Sequence, residues 1–137
     1  MVFTIKKLKT MSRFELDRVW KGISIHRTPQ GRFRGYVLIH PSIIGMLVAN
    51  LLGSFWQGKV FLPGKRCKNI IAGQEFFQAR TPMGDSLFDH EPCLLLDYSR
   101  QIMGSHLRDE IRQIIPGLYL GRVYVFGRFV GFFVLKK

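Results

Sequence analysis

The chain has little cysteine and little negative charge. Its 137 residues include only two cysteines, Cys67 and Cys93, too few for a disulfide framework. Nine acidic residues stand against 21 lysines and arginines, so the formal net charge is +12, which favours anionic partners. The first eleven residues contain lysines but lack the apolar stretch of a signal peptide. We therefore expect a cytoplasmic protein with free thiols.

The sequence also lacks the motifs of metal and nucleophile chemistry. None of the four histidines has the His-Glu-x-x-His spacing, and no serine lies in a nucleophile elbow. Asp89, His90 and Glu91 are consecutive, so a strand would point them to opposite faces. Residues 53–59 resemble a phosphate-binding loop, but Val60 stands where Ser or Thr must hold Mg²⁺. The sequence predicts no metal and no cofactor.

A charge-free segment covers residues 36–58. Its densely apolar part, residues 43–52, is about half of the ~20 residues that cross a bilayer. We therefore predict a buried helix over residues 41–52 and no membrane span. The hydrophobic fraction of 47% and the chain length predict one globular domain, residues 1–137.

Turn and periodicity signals predict a mainly β domain with two or three short helices. Ser12 and Glu15 form a capping box, which begins a helix that ends at Gly22. A further helix is expected between Ser105 and Pro116. The predicted strands cover residues 2–8, 23–27, 32–39, 59–62, 69–72, 75–80, 93–98, 118–126 and 129–135. Many short strands separated by turns indicate an α+β fold built on an antiparallel barrel or a strongly curved sheet.

Several short motifs follow one another in a recognisable order. They are residues 19–22 (VWKG), 55–61 (FWQGKVF), 96–99 (LDYS) and 107–121, before a terminal strand rich in Phe. This order resembles small bacterial lipocalin-like proteins of unknown function, including those with a GXWXG element. The resemblance implies a lipocalin-like barrel and no particular activity.

The leading functional hypothesis is ligand binding, because a barrel of about eight strands can hold one small molecule. The ligand would be partly apolar, with an acidic group as an option. Aromatic surface would come from Trp20, Trp56, Tyr98, Tyr119 and Tyr124, and an anionic head would meet Lys59 or Arg122. The other candidate contacts are Asp97, Arg108, Asp109, Glu110 and Arg112.

The predicted helix with residues 108–112 is expected to cover one end of the barrel. Arg122 and Tyr124 are two residues apart on the next predicted strand and therefore share one face, which is expected to point into the barrel interior.

Two other classes of function stay open at this stage. Residues 1–35 carry nine basic and two acidic residues, and Arg32, Phe33 and Arg34 alternate cations with a ring. This pattern suits weak, salt-sensitive binding of nucleic acid or another polyanion. A metal-independent enzyme is the third class, with Asp97 or Glu110 as the proton carrier beside an arginine.

Overall fold

The computed structural model describes residues 3–38, 55–99 and 106–137. Two helices come first, α1 (Ile5–Thr10) and α2 (Arg13–Gly22). The strands that follow are β1 (Gly31–Val37), β2 (Trp56–Leu62), β3 (Arg66–Ile71), β4 (Gln74–Arg80), β5 (Met83–Asp85), β6 (Pro92–Asp97), β7 (Leu107–Ile115), β8 (Leu118–Val125) and β9 (Arg128–Lys136).

Eight of these strands close into an antiparallel barrel. Their order is β4-β3-β2-β1-β9-β8-β7-β6, and β6 returns to β4 through the pair Arg80 and Asp97. The short strand β5 pairs with β6 outside this ring. Closure removes exposed sheet edges. The predicted mainly β, antiparallel barrel with short helices is therefore confirmed.

The barrel wall separates two apolar cores. The inner core contains side chains from all eight barrel strands, among them Phe33, Phe61, Cys67, Ala79, Leu94, Ile111, Tyr119 and Phe133. The outer core lies between the helices and the wall and contains Leu8, Leu16, Trp20, Leu120, Phe132 and Val134. Strands beneath the helices are consequently buried on both faces.

Helix α2 begins as its capping box predicts. The Glu15 amide donates to Ser12 Oγ at 3.2 Å, and the Ser12 amide donates to Glu15 Oε1 at 3.1 Å. These hydrogen bonds hold the pKa of Glu15 below its usual range. Leu16 and Trp20, one helical turn apart, pack against the barrel wall.

The predicted strand over residues 2–8 is wrong, because helix α1 occupies most of it. Thr4 caps this helix by accepting a hydrogen bond from the Lys7 amide at 3.0 Å. Leu8 is fully buried in the outer core. Contact with the barrel wall stabilises a helix that would be too short to persist alone.

The predicted helix between Ser105 and Pro116 is also wrong. The chain forms strand β7 there, which pairs with β6 and β8. Leu107 and Ile111 fit an i, i+4 helical stripe, but they also fit the two-residue period of a strand. Hydrogen-bonded pairing with β6 on one side and β8 on the other favours the strand over the helix.

Residues 23–27 do not form the predicted hairpin with β1. Ser24 makes one isolated bridge with Gln113, and β1 pairs instead with β2 and β9. The helix predicted over residues 41–52 lies outside the described residues. Within the described ranges, no helix is long and apolar enough to cross a membrane.

Candidate ligand-binding site

A buried ion pair lies inside the barrel, between Lys59 of β2 and Asp109 of β7. Lys59 Nζ is 2.9 Å from Asp109 Oδ2, and the two side chains are only 3% and 6% exposed. Lys59 is two residues from Phe61, and Asp109 is two residues from Ile111. Residues two apart share one face of a strand, so Lys59 and Asp109 point into the inner core with Phe61 and Ile111. A buried pair contributes little net stability compared with apolar residues of equal size. Its presence in this core therefore marks a candidate functional site.

Asn69 and Tyr98 join this pair in what we call the polar cluster (Lys59, Asn69, Tyr98 and Asp109). Lys59 Nζ donates to Asn69 Oδ1 at 2.7 Å and to the Tyr98 hydroxyl at 2.8 Å, as well as to Asp109. Tyr98 donates to Asp109 Oδ2 at 3.2 Å and accepts from Asn69 Nδ2 at 2.9 Å. All three ammonium protons and the full capacity of the hydroxyl are thus used. Asp109 Oδ1 makes no hydrogen bond to any described residue.

Electrostatics keep Lys59 charged and Tyr98 neutral at physiological pH. Burial opposes the ammonium group, but the interactions with Asp109, Tyr98 and Cys67 together outweigh this cost and raise the pKa of Lys59. Burial also raises the pKa of Tyr98, although nearby Lys59 opposes the shift. Lys59 is therefore a hydrogen-bond donor and not a nucleophile.

Trp56 connects the polar cluster to the protein surface. Its indole Nε1 donates to Asn69 Oδ1 at 3.1 Å, and its ring meets Phe133 edge-on at 5.7 Å. The indole lies over Gly35, where a Cβ atom would stand 2.3 Å from the ring. A β-bulge between Trp56 and Gly58 allows this orientation at the start of β2. The half-buried Trp56 also lines a groove on the outside.

This groove, which we call the Trp56 groove, has a volume of about 770 Å³. Its described lining is Arg32, Phe33, Arg34, Gly35, Tyr36, Trp56, Gln57, Ile70, Lys136 and Lys137. Four of these residues are basic and none is acidic. The groove therefore combines aromatic and aliphatic surface with a strongly positive rim.

Four of the residues predicted from the sequence meet at this site: Trp56, Lys59, Tyr98 and Asp109. Tyr119 shares the inner core, where it contacts Phe33 at 5.5 Å between ring centroids. Sequence reasoning missed Asn69. A polar residue two positions after Cys67, in a strand that continues with Ile70 and Ile71, was the available signal.

The prediction that Arg122 and Tyr124 face the barrel interior is wrong. Arg122 lies in the outer core, where Nη1 donates to Asp17 Oδ1 of α2 at 2.7 Å. Its guanidinium lies 4.1 Å from the Phe88 ring centre, and Nε donates to the Tyr124 hydroxyl at 3.1 Å. Val123, between them in sequence, packs against the inner core instead.

Arg112 and Trp20 also belong to the outer core. Arg112 makes two hydrogen bonds to the Asp89 carboxylate, at 2.7 and 2.8 Å, and its guanidinium lies 4.5 Å from the Trp20 ring centre. It also donates to the Trp20 carbonyl at 3.0 Å. Arg112 thus ties α2 to the barrel wall and does not contribute to a lid over its end.

Glu110 and Asp97 do not join the polar cluster. Glu110 is fully buried and accepts hydrogen bonds from Arg108 at 2.9 Å, from the Ser86 hydroxyl at 2.7 Å and from the Leu87 amide at 2.9 Å. Both of its oxygens are therefore engaged in holding the chain after β5. Asp97 accepts from the Ser99 amide at 2.9 Å, at the end of β6.

The free energy of unfolding is expected to fall as the pH rises above about 9. Burial raises the pKa of the Cys67 thiol to about 12, whereas an unfolded cysteine titrates near ~8.5. Between these values only the unfolded chain releases the proton, which costs up to ~1.4 kcal/mol of stability per pH unit. The raised pKa values of Tyr98 and Lys59 act in the same direction at higher pH. Urea unfolding in reducing buffer at several alkaline pH values measures the slope.

The control for this pH dependence is Cys67→Ala, which should reduce the slope near its onset without abolishing it, because burial also raises the pKa of Cys93 to about 12. A free energy of unfolding that stays constant or rises over the same interval would contradict the prediction.

No protein-family model matches the chain, and no curated protein is similar to it. A crystal structure of a protein from Thermomonospora curvata has the same fold, with a TM-score of 0.69. The alignment covers 97% of this chain and 92% of that chain at 15% sequence identity. At this level of identity the likeness shows the fold alone.

Proposed function

We propose that the protein binds a small, partly apolar acid in the Trp56 groove. The observation that carries the proposal is the lining: four basic residues and no acid surround an aromatic floor. The groove volume of about 770 Å³ falls within the roughly 300–1,000 Å³ of small-molecule sites. The resemblance to lipocalin-like proteins, which stays a prediction, concerns the barrel and implies no particular activity.

The two kinds of lining suit the two parts of such a ligand. Half-buried Trp56 offers apolar surface for a hydrocarbon or ring, whereas Phe33 and Ile70 are almost fully buried. Arg32 and Arg34 alternate outward on β1 and are exposed. An arginine can hold a carboxylate through two parallel hydrogen bonds, so the anionic head is expected at this rim.

The polar cluster is proposed to support this site from beneath. The three N–H groups of the Lys59 ammonium already donate hydrogen bonds within the cluster, so none is left for an acid unless the cluster rearranges. Asn69 instead fixes the indole of Trp56 as the floor of the groove. Side chains such as Phe61 and Phe133 pack together inside the described part of the barrel. We therefore place the ligand in the groove and not on the barrel axis.

Binding of single-stranded nucleic acid is the less favoured alternative. Such binding needs free aromatic faces on which bases stack. The Tyr36 ring already carries two cations, Lys9 at 5.3 Å and Arg34 at 5.4 Å from its centre. The basic groove remains available to phosphates, so we expect polyanions to bind weakly and to dissociate as salt is raised.

The test is a fluorescence titration of the full chain with decanoate, in parallel with the neutral analogue decanol. Decanoate should change the emission of Trp56, whereas decanol should bind at least tenfold more weakly. Arg34→Gln with Lys136→Gln should also raise the Kd for decanoate at least tenfold, because a hydrogen bond to a charged group contributes about 1.5 kcal/mol or more.

Two controls make the titration specific to the groove. Arg27→Gln with Arg128→Gln removes the same charge from exposed positions outside the groove and should leave the Kd unchanged. Trp56→Phe should abolish the emission change, since the other tryptophan, Trp20, lies in the outer core. Equal affinity for decanoate and decanol, or equal loss in both charge variants, would refute the proposal.

A further inference from the structure

Phe14 is the most exposed large apolar side chain in the described part of the protein, at 80%. It lies in the first turn of α2, on the face opposite Leu16 and Trp20. Phe14, Arg18 and Lys21 follow an i, i+4, i+7 spacing, so they form one exposed stripe along the helix. Phe14 therefore contributes its ring to the surface and not to either core.

The two helices carry many exposed basic side chains. The exposed cations of α1 and α2 are Lys6, Lys7, Lys9, Arg13, Arg18 and Lys21. The same helices contain two acids, Glu15 and Asp17, against these six cations, so an excess of positive charge remains. Asp17 is paired with Arg122 at 2.7 Å, and Glu15 accepts the Ser12 amide in the capping box. We call the six cations and Phe14 the basic helical face.

We infer that the basic helical face docks on an anionic lipid surface, with the Phe14 ring entering the headgroup layer. Helices that lie in a membrane interface combine a polar face rich in Lys and Arg with aromatic or aliphatic side chains that enter the headgroup layer. Anionic headgroups attract clusters of such cations over a short, salt-dependent range. The inference does not depend on the proposed ligand, because no residue of this face lines the Trp56 groove.

The single exposed ring of this face favours a lipid surface over nucleic acid. Both helices lie on the outside of the barrel wall, where Leu8 and Leu16 hold them. Phe14 is the one large apolar side chain that these two helices expose. Single-stranded nucleic acid is usually held in a groove by successive rings, whereas a bilayer accepts one ring.

The experiment is vesicle co-flotation with the full chain. The wild type should float with vesicles of phosphatidylcholine and phosphatidylglycerol and not with phosphatidylcholine alone. Phe14→Ser should reduce the partition coefficient about tenfold, in line with the loss of a buried aromatic ring. Phe76→Ser is the matched control, because Phe76 is 45% exposed on β4, a strand that contributes no described side chain to the outer core beneath the helices. It should float like the wild type.

The possible results separate this inference from its alternatives. Equal flotation of Phe14→Ser and the wild type would overturn the insertion of Phe14. If the wild type does not float but binds single-stranded DNA, and Phe14→Ser loses this DNA binding, the face belongs to nucleic acid. A lipid-free dimer that Phe14→Ser dissociates would assign it to a second copy of the chain. The variant Arg34→Gln with Lys136→Gln should still float, even if the proposed acid does not bind.

Discussion

Asp109→Ala is expected to lower the free energy of unfolding by about 3–5 kcal/mol, because it leaves the buried ammonium of Lys59 without its counter-charge. Lys59 Nζ is 2.9 Å from Asp109 Oδ2, and both side chains are almost fully buried. Asn69 and Tyr98 still accept hydrogen bonds from this ammonium group, but neither carries a negative charge. Such a loss is a large part of the ~5–15 kcal/mol that stabilises a typical domain. Urea unfolding measures it.

The double variant Lys59→Met with Asp109→Leu distinguishes a lost charge from lost packing. It removes both charges and retains apolar volume, so it should recover much of the stability that Asp109→Ala loses. If the double variant is less stable than Asp109→Ala, the charge argument is wrong. If Asp109→Ala itself is as stable as the wild type, the pair is not buried as described.

Gly58→Ala is the second substitution expected to have a large effect. Gly58 has a φ of +144°, and a Cβ atom there would stand 1.9 Å from the carbonyl oxygen of Phe33. The close neighbour is backbone of strand β1, which cannot rotate away. We expect a loss of roughly 3 kcal/mol or more, from the strained φ together with the displaced strand.

Gly73→Ala is the matched control for this prediction. Gly73 also has a positive φ, +80°, but nothing lies within 4 Å of its Cβ position. It should lose only about 1–2 kcal/mol, the cost of the left-handed conformation for a residue with a Cβ atom. Similar losses in the two variants would show that the contact with β1 is not the cause. Because the bulge orients Trp56, Gly58→Ala should also change the emission of that indole.

The residues of the candidate site show how far sequence reasoning reaches. Trp56, Lys59, Tyr98 and Asp109 were expected to contact a ligand because of their chemistry, and the structure brings them together. Asp109, however, was expected on a helix and lies on a strand. Its contact with Lys59 joins residues 50 positions apart, and no local pattern specifies such a pair. Asn69 was missed because its role depends on tertiary partners: Lys59 and Trp56 on the neighbouring strand β2, and Tyr98 after β6.

Arg122 was misplaced for a different reason. Strand alternation correctly puts Arg122 and Tyr124 on one face and Val123 on the other. Alternation identifies the inward face only where the outward face meets water. Strand β8 is covered outside by α2, so both faces are buried. The pattern therefore contained no signal to tell the barrel interior from the core beneath the helices.

The sequence by itself determined the features that depend on neighbouring residues: the start of α2, the β8–β9 hairpin, the turn-separated strands and the excess of positive charge. These follow from hydrogen bonds, backbone preferences and composition over a few residues. Tertiary structure alone decided the closure of the barrel, the β conformation of residues 107–115 and the side of the wall on which each charged residue lies. Those choices depend on ladders and contacts between distant segments, whose free energies exceed local propensity and which a single sequence does not display.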